Sequence, residues 1–296
     1  MAAGAAAAGL ALAVLLAGCG GGTTDGGTSA GRRVVDPRAW PTDGGPQGRV
    51  AQFAVECGFS HAAPDDPIVH PGHPGRSHLH TFFGSTVAHA DTTPGGLAAG
   101  GTTCAQTLDR ASYWAPALLD HGEMVEPTGA TAYYRPGVGV DPAGVEPYAF
   151  GLKMIGGDQT ASEPQPLDVV AWTCGTGSER RATPPACPEG RPLRLLVSFP
   201  DCWDRERLDS PEHVSHTARS VDGDCPASHP VAVPQLLLAV SYPVTGGAHD
   251  LSLASGSLLT GHADFFNGWD EDKLATEVAS CINRAVTCDV VSNRGL

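Results

Sequence analysis

The sequence predicts a mainly β fold: a single β-sandwich or jelly-roll-like domain with long loops, few helices and disulfide staples. Three observations predict it. The 296 residues include 38 Gly and 25 Pro, which suits short strands joined by turns and disfavours a helix bundle. Short aromatic and β-branched runs bounded by turn residues recur along the chain. Of nine cysteines, setting Cys19 aside leaves eight, an even set that an oxidising compartment turns into disulfides.

The first 48 residues read as export and spacing. Leu10 to Ala17 is a short apolar run, too short to span a bilayer as a mature helix. Leu16-Ala17-Gly18-Cys19 resembles the bacterial lipobox, which makes Cys19 the expected lipidation site and residues 1–18 the signal peptide. No Lys or Arg precedes the run, so a start further upstream is expected. Residues 19–48, Gly/Thr/Ser-rich at first, are expected to be a flexible tether. Residues 49–296, roughly 250 of them, suffice for one globular domain with a proper core. The expected location is the outer face of the bacterial cytoplasmic membrane, as a lipid-anchored monomer. Net charge is −14, with 18 basic against 32 acidic residues and no basic run. That excludes nucleic acid as a partner, because phosphate binding needs a basic footprint.

The elements follow in order. Arg49 to Phe59 alternates loosely as a first strand. Pro64, Pro67, Pro71 and Pro74 then make an ordered, extended loop, with regular pairing resuming from Ser77 to Phe83. Asp91 to Thr103 reads as a Gly/Thr loop. Strands are expected at Ser112 to Leu119, Thr131 to Arg135, Asp168 to Thr173, Arg194 to Phe199 and Gln235 to Tyr242. One helix is expected, Asp270 to Arg284, with Leu274, Val278, Cys281 and Ile282 on one face and acidic residues in its first turn. Proximity pairs Cys174 with Cys187 and Cys281 with Cys288, leaving Cys57 for Cys104 and Cys202 for Cys225.

Four of the twelve histidines fall between Asp66 and Gly84. His78-Leu79-His80 and His262-Ala263-Asp264 each place two polar side chains two apart, on one side of a strand. Asp66-Pro67-Ile68-Val69-His70-Pro71-Gly72, Ser77-His78-Leu79-His80, Tyr113-Trp114-Ala115-Pro116-Ala117-Leu118 and Tyr133-Tyr134 run in order. Phe199-Pro200-Asp201-Cys202-Trp203-Asp204, Asp209-Ser210-Pro211-Glu212-His213-Val214-Ser215-His216, Cys225-Pro226-Ala227-Ser228-His229-Pro230 and His262 to Asp270 follow. In these blocks the chain resembles the secreted domain-of-unknown-function family numbered nineteen-ninety-six, found in fungi and actinobacteria. It departs at His70, where the family has Asn, and at Pro74-Gly75-Arg76. The resemblance implies secretion and a shared fold and supplies no activity.

The residues expected to share a site are His78, His80, His213, His216, His229, His262 and Asp264. His213 and His216 are three apart, same-face on a helical turn. The chosen metal ligands are His78, His80, His216 and His229, for a divalent Zn, Cu, Mn or Fe ion. His262, Asp264 and His213 are the chosen catalytic groups, and Trp114, Tyr134, Trp203 and Trp269 the aromatics for stacking on sugars. His70 and His73 are left out as solvent-facing. The leading reading is a metal-dependent enzyme acting on polysaccharide or cell-envelope material. Its rivals are a metal-free acid–base glycan-cleaving enzyme and a non-catalytic carbohydrate-binding module. A fourth reading makes these histidines buried hydrogen-bonding residues. Nothing in the sequence decides whether the protein is an enzyme: residues 49–296 have no Gly-x-Ser-x-Gly elbow, phosphate loop or His-Glu-x-x-His helix.

Overall fold

The computed structural model describes Met1, Arg33–Val34, residues 51–176 and residues 179–290. The expected signal peptide and Cys19 lie outside the described residues, apart from Met1. Strand β1 is Arg33–Val34 and falls inside the expected tether. Then come β2 (Gln52–Cys57), β3 (Phe59–Ala63), β4 (His80–Gly84), helix α1 (Pro94–Ala99), β5 (Ser112–Pro116), β6 (Leu118–Asp120), β7 (Glu123–Met124) and β8 (Gly129–Arg135). The order continues with β9 (Lys153–Gly157), β10 (Val170–Cys174), β11 (Leu193–Ser198), β12 (Cys202–Trp203), β13 (Thr217–Ala218), β14 (Val231–Ala232) and β15 (Gln235–Tyr242). It closes with β16 (Leu251–Leu253), β17 (His262–Phe266), helix α2 (Glu271–Glu277) and β18 (Val286–Val290).

Two sheets make the sandwich: β1-β18-β2-β8-β15-β11-β10 and β3-β4-β5-β17-β9. Their pairs are antiparallel except β18 with β2. Alternation sorts the side chains. Phe53, Val55, Tyr134, Leu195, Leu236 and Leu238 of the larger sheet meet Phe83, Tyr113, Met154 and Phe265 of the smaller one in the main core. The expected mainly β sandwich is present. Two small three-stranded sheets, β13-β12-β14 and β16-β6-β7, are additional.

The five-stranded sheet is covered on its other face too. Phe82, Trp114 and Phe266 point outward and pack with Ile68, Ala88 and Leu97. Ile68 comes from the proline-rich loop and Leu97 from α1, which stands where a loop was expected. The start of the His-rich segment is therefore a roof over the outer face of a sheet: residues 65–68 are buried although they are loop, and residues 71–76 are exposed.

Polar bonds and disulfides fix this arrangement. Inside the core, Trp269 Nε1 donates to the Tyr134 hydroxyl (3.0 Å), which bonds the Tyr113 hydroxyl, which donates to Asp109 (2.7 Å). Burial pushes the Asp109 carboxyl up to about 7. The disulfides are Cys57–Cys104, Cys174–Cys187, Cys202–Cys225 and Cys281–Cys288, the pairing that proximity predicts. The expected helix is α2 followed by one π-helical turn, Val278–Ile282, with Asp270 capping its start through Lys273 N.

Tyr134→Phe removes the middle of the buried chain and leaves the indole N–H of Trp269 unpaired. It should destabilise the domain by about 1–3 kcal/mol, read as a lowered urea midpoint at unchanged m-value.

Candidate metal centre on the outer sheet face

The centre is built where the outer face turns from apolar to polar. On β17, His262 and Asp264 share that face with Phe266, two-residue steps apart. On β4, His80 shares it with Phe82. Trp114 of β5 stands between Phe82 and Asp264, paired to both. His80 pairs with Pro116, and continuing the β5–β17 register brings Pro116 opposite His262 as well. The other neighbour of His262 is Gly157. Its φ is +81°, and a Cβ there would lie 2.6 Å from the Gly261 carbonyl. The backbone beside His262 thus requires glycine at 157.

His78 completes the set from the roof. It precedes β4 rather than lying in it, so the expectation that both members of the pair occupy one strand holds for His80 alone. Ring centres are 4.2 Å apart for His78–His80, 5.1 Å for His78–His262 and 5.8 Å for His80–His262. The ligating atoms of His78, His80 and His262 lie within 4.8 Å of one another, as do those of Asp66, His80 and Asp264. Small rotations bring such atoms to the ~3.3 Å separations set by metal–ligand bonds of about 2.0–2.1 Å.

The hydrogen bonding prepares the nitrogens for a ligand. His80 Nδ1 donates to the Asp65 carbonyl (2.9 Å) and His262 Nδ1 to the Thr260 carbonyl (2.8 Å). A carbonyl only accepts, so both rings carry their proton on Nδ1 and keep Nε2 as a lone pair. His78 Nε2, His80 Nε2 and Asp264 Oδ2 are buried without a hydrogen-bond partner. Asp66 is itself fixed, its Oδ1 accepting from Ile68 N (2.8 Å) and Val69 N (2.9 Å).

The electrostatics agree. Burial, then the neighbouring His262 and His70, lowers His78 to about 4. Burial, with His78 and His262 nearby, pushes His80 well below the usual imidazole range, and burial lowers His262. Burial, then the Asp66 charge, holds Asp264 well above the usual carboxylate range. Neutral imidazoles and an unpaired buried carboxyl are what a cation would satisfy.

The remaining expected site residues are elsewhere. His216 donates from Nε2 to the Lys153 carbonyl (2.6 Å), and its Nδ1 takes Ser210 Oγ (3.0 Å). Lys153 pairs with Phe266, four residues along β17 from His262, or about 13 Å. His229 is likewise used up by Ser215 O (3.0 Å) and Ser228 Oγ (2.9 Å). Neither has a nitrogen left for a metal. His213 bonds Asp209 (2.8 Å), which also holds Lys153. The 211–216 segment is turns, with His213 at φ 66°, so the helical turn expected to align His213 with His216 is absent. Trp114, Tyr134 and Trp269 are at most 1% exposed. They serve the two cores and cannot stack on a sugar. Trp203 is half-buried, its indole N–H held by the Arg207 carbonyl (2.7 Å).

Sequence reasoning missed Asp65 and Asp66. Their signal was the position of Asp66 before Pro67-Ile68-Val69, where a carboxylate caps the following amides. His70, set aside as solvent-facing, stands close enough to depress both His78 and His80.

A family model described as Domain of unknown function (DUF1996) matches residues 66–269. The chain belongs to this family. The DUF1996 match starts at Asp66 and ends at Trp269, so it takes in all five residues of the centre and the core network. No curated protein and no solved structure matches the chain.

Two outcomes test this electrostatic reading on metal-free protein. His78 drops from 6.5 unfolded to about 4 folded, so the unfolded chain binds more protons between those values. Stability therefore rises with pH in that window and is lost as pH falls through it; urea titrations should show a shallower slope for His78→Ala. Asp264 has the opposite sign: its contribution is present below 3.8 and lost as pH rises through its raised value. Asp264→Asn supplies an N–H for an imidazole lone pair, and should stabilise the metal-free domain at about pH 9 by about 1–3 kcal/mol.

Proposed function

We propose that this is a divalent transition-metal protein of the bacterial cell exterior, with His78, His80, His262, Asp264 and Asp66 as its ligand set. One observation carries the reading: two trios of ligating atoms, His78–His80–His262 and Asp66–His80–Asp264, overlap at His80, and three of their buried atoms have no hydrogen-bond partner. The donor set of neutral nitrogens and hard oxygens suits Zn, Mn, Fe or Cu. Two carboxylates with three neutral imidazoles balance a divalent charge. The second shell fits as well, since His80 and His262 each give their other N–H to a carbonyl.

The four disulfides suit an oxidising environment, and no helix among the described residues is long and apolar enough to cross a membrane. We further propose that Cys19 carries the lipid anchor and that cell-envelope polysaccharide is the substrate. The support is the lipobox-like sequence, the tether and the acidic charge; the buried aromatics give none. A bound ion would supply Lewis acidity and a more acidic water. One observation favours a metal-free second reading: burial, then the Asp66 charge, raises the Asp264 carboxyl well above the usual carboxylate range, close to imidazoles that burial lowers.

Elemental analysis of the purified domain after exposure to micromolar Zn, Mn, Fe and Cu in turn should find one ion per chain. His78→Ala/His80→Ala should lose it, and His262→Ala should bind at least about 10–100-fold more weakly. His216→Ala should bind as wild type. No ion taken up from any of the four metals removes the reading. Glycan cleavage by metal-free protein would favour the second reading, and binding without product a non-catalytic module.

A further inference from the structure

The centre has a fixed floor and a lightly held side. His80, Asp264 and His262 lie on β4 and β17, each paired along both edges. Asp66 is seated as well: Ile68, two residues on, is fully buried in the outer cluster, and the Asp66 carboxylate caps the turn there. Residues 71–76 are exposed, and His78 ends that stretch outside any strand. Few bonds hold the arm down. Gly75 N donates to Asp65 Oδ1 (2.8 Å), Gly72 N to the Ala90 carbonyl (2.8 Å) and Ser77 N to the Pro64 carbonyl (3.1 Å).

At the site itself the arm meets only its own kind. The His78 ring faces the rings of His80 and His262, and its Nε2 and that of His80 are buried and unpaired. A buried polar atom left unsatisfied in this way is destabilising. The floor cannot relieve this without breaking a ladder; the arm can, by breaking a few loop bonds. A cation among these lone pairs shifts the balance further toward the closed strap, because His78 then gains a ligand bond by staying.

We infer that residues 70–78 form a strap that a divalent metal closes over the floor, with His78 as the moving ligand and Asp65 as its pin. Asp65 acts at both ends of the device. Its main-chain carbonyl sets the His80 ring, and its carboxylate holds Gly75 of the strap and Ala90 beside it (3.2 Å). Without the ion the closed strap opens transiently and more often, admitting solvent to the floor.

This rests on the metal reading above, and hydrogen exchange separates the two. Full-length protein is compared with and without Zn2+, with binding followed in parallel by calorimetry. Binding should slow amide exchange across 70–78 by about tenfold or more, while the β4 and β17 amides change little. His78→Ala should still bind Zn2+, more weakly, through the floor and Asp66, and show no slowing at 70–78. Zn2+ bound by wild type with unchanged exchange at 70–78 overturns the strap and leaves the metal reading intact. No Zn2+ bound at all overturns both for this ion.

Discussion

One constraint organises the outer half of this domain: a two-residue period puts the polar ends of β4 and β17 on a face that the rest of the sheet needs for burial. Phe82, Trp114 and Phe266 require a cover, and Ile68 and Leu97 supply it. The same cover buries His80, His262 and Asp264. Polar groups of this number are costly inside a protein unless satisfied. Backbone carbonyls satisfy one nitrogen of two of the rings. His78 Nε2, His80 Nε2 and Asp264 Oδ2 are left buried and unpaired, and this is the property from which the metal reading follows.

The main core keeps the floor of the centre in place. β5 carries Tyr113 into the core network and Trp114 into the outer cluster, on consecutive residues. The Trp269–Tyr134–Tyr113–Asp109 chain crosses from the larger sheet to the smaller one. A satisfied buried network of this type favours one sheet alignment over its neighbours, and a slip of one residue would turn His262 and Asp264 into the apolar core. Cys57–Cys104 ties β2 to the segment leading into β5. The positioning of the site and the stability of the sandwich are thus one problem.

Much of this was legible in the sequence, for local reasons. Cysteine proximity led to Cys174–Cys187 and Cys281–Cys288, which close loops of 13 and 7 residues, and the remaining four cysteines left the other two pairs. Aromatic and β-branched runs located β5, β8, β10, β11 and β15. Period two put His80 and Phe82 on one face of β4, and His262, Asp264 and Phe266 on one face of β17, because it is a property of the strand alone; His78, ahead of β4, owes its place to the loop. What failed depended on tertiary contacts. His216 and His229 resemble ligands in sequence, yet serine hydroxyls and main-chain carbonyls occupy both nitrogens of each. Tyr134 and Trp269 looked like a sugar platform, but their polar atoms are spent on each other. Asp65 and Asp66 were passed over because their importance comes from a roof that folds back across a sheet, which no spacing rule describes.

The central claim is that three imidazoles share one ion. X-ray absorption of the protein loaded with one equivalent of Zn2+ tests it most directly. The account predicts a nitrogen/oxygen first shell at about 2.0–2.1 Å, with imidazole multiple scattering that fits three rings and falls to two in His262→Ala. A first shell without imidazole scattering, or three rings persisting in His262→Ala, would contradict it.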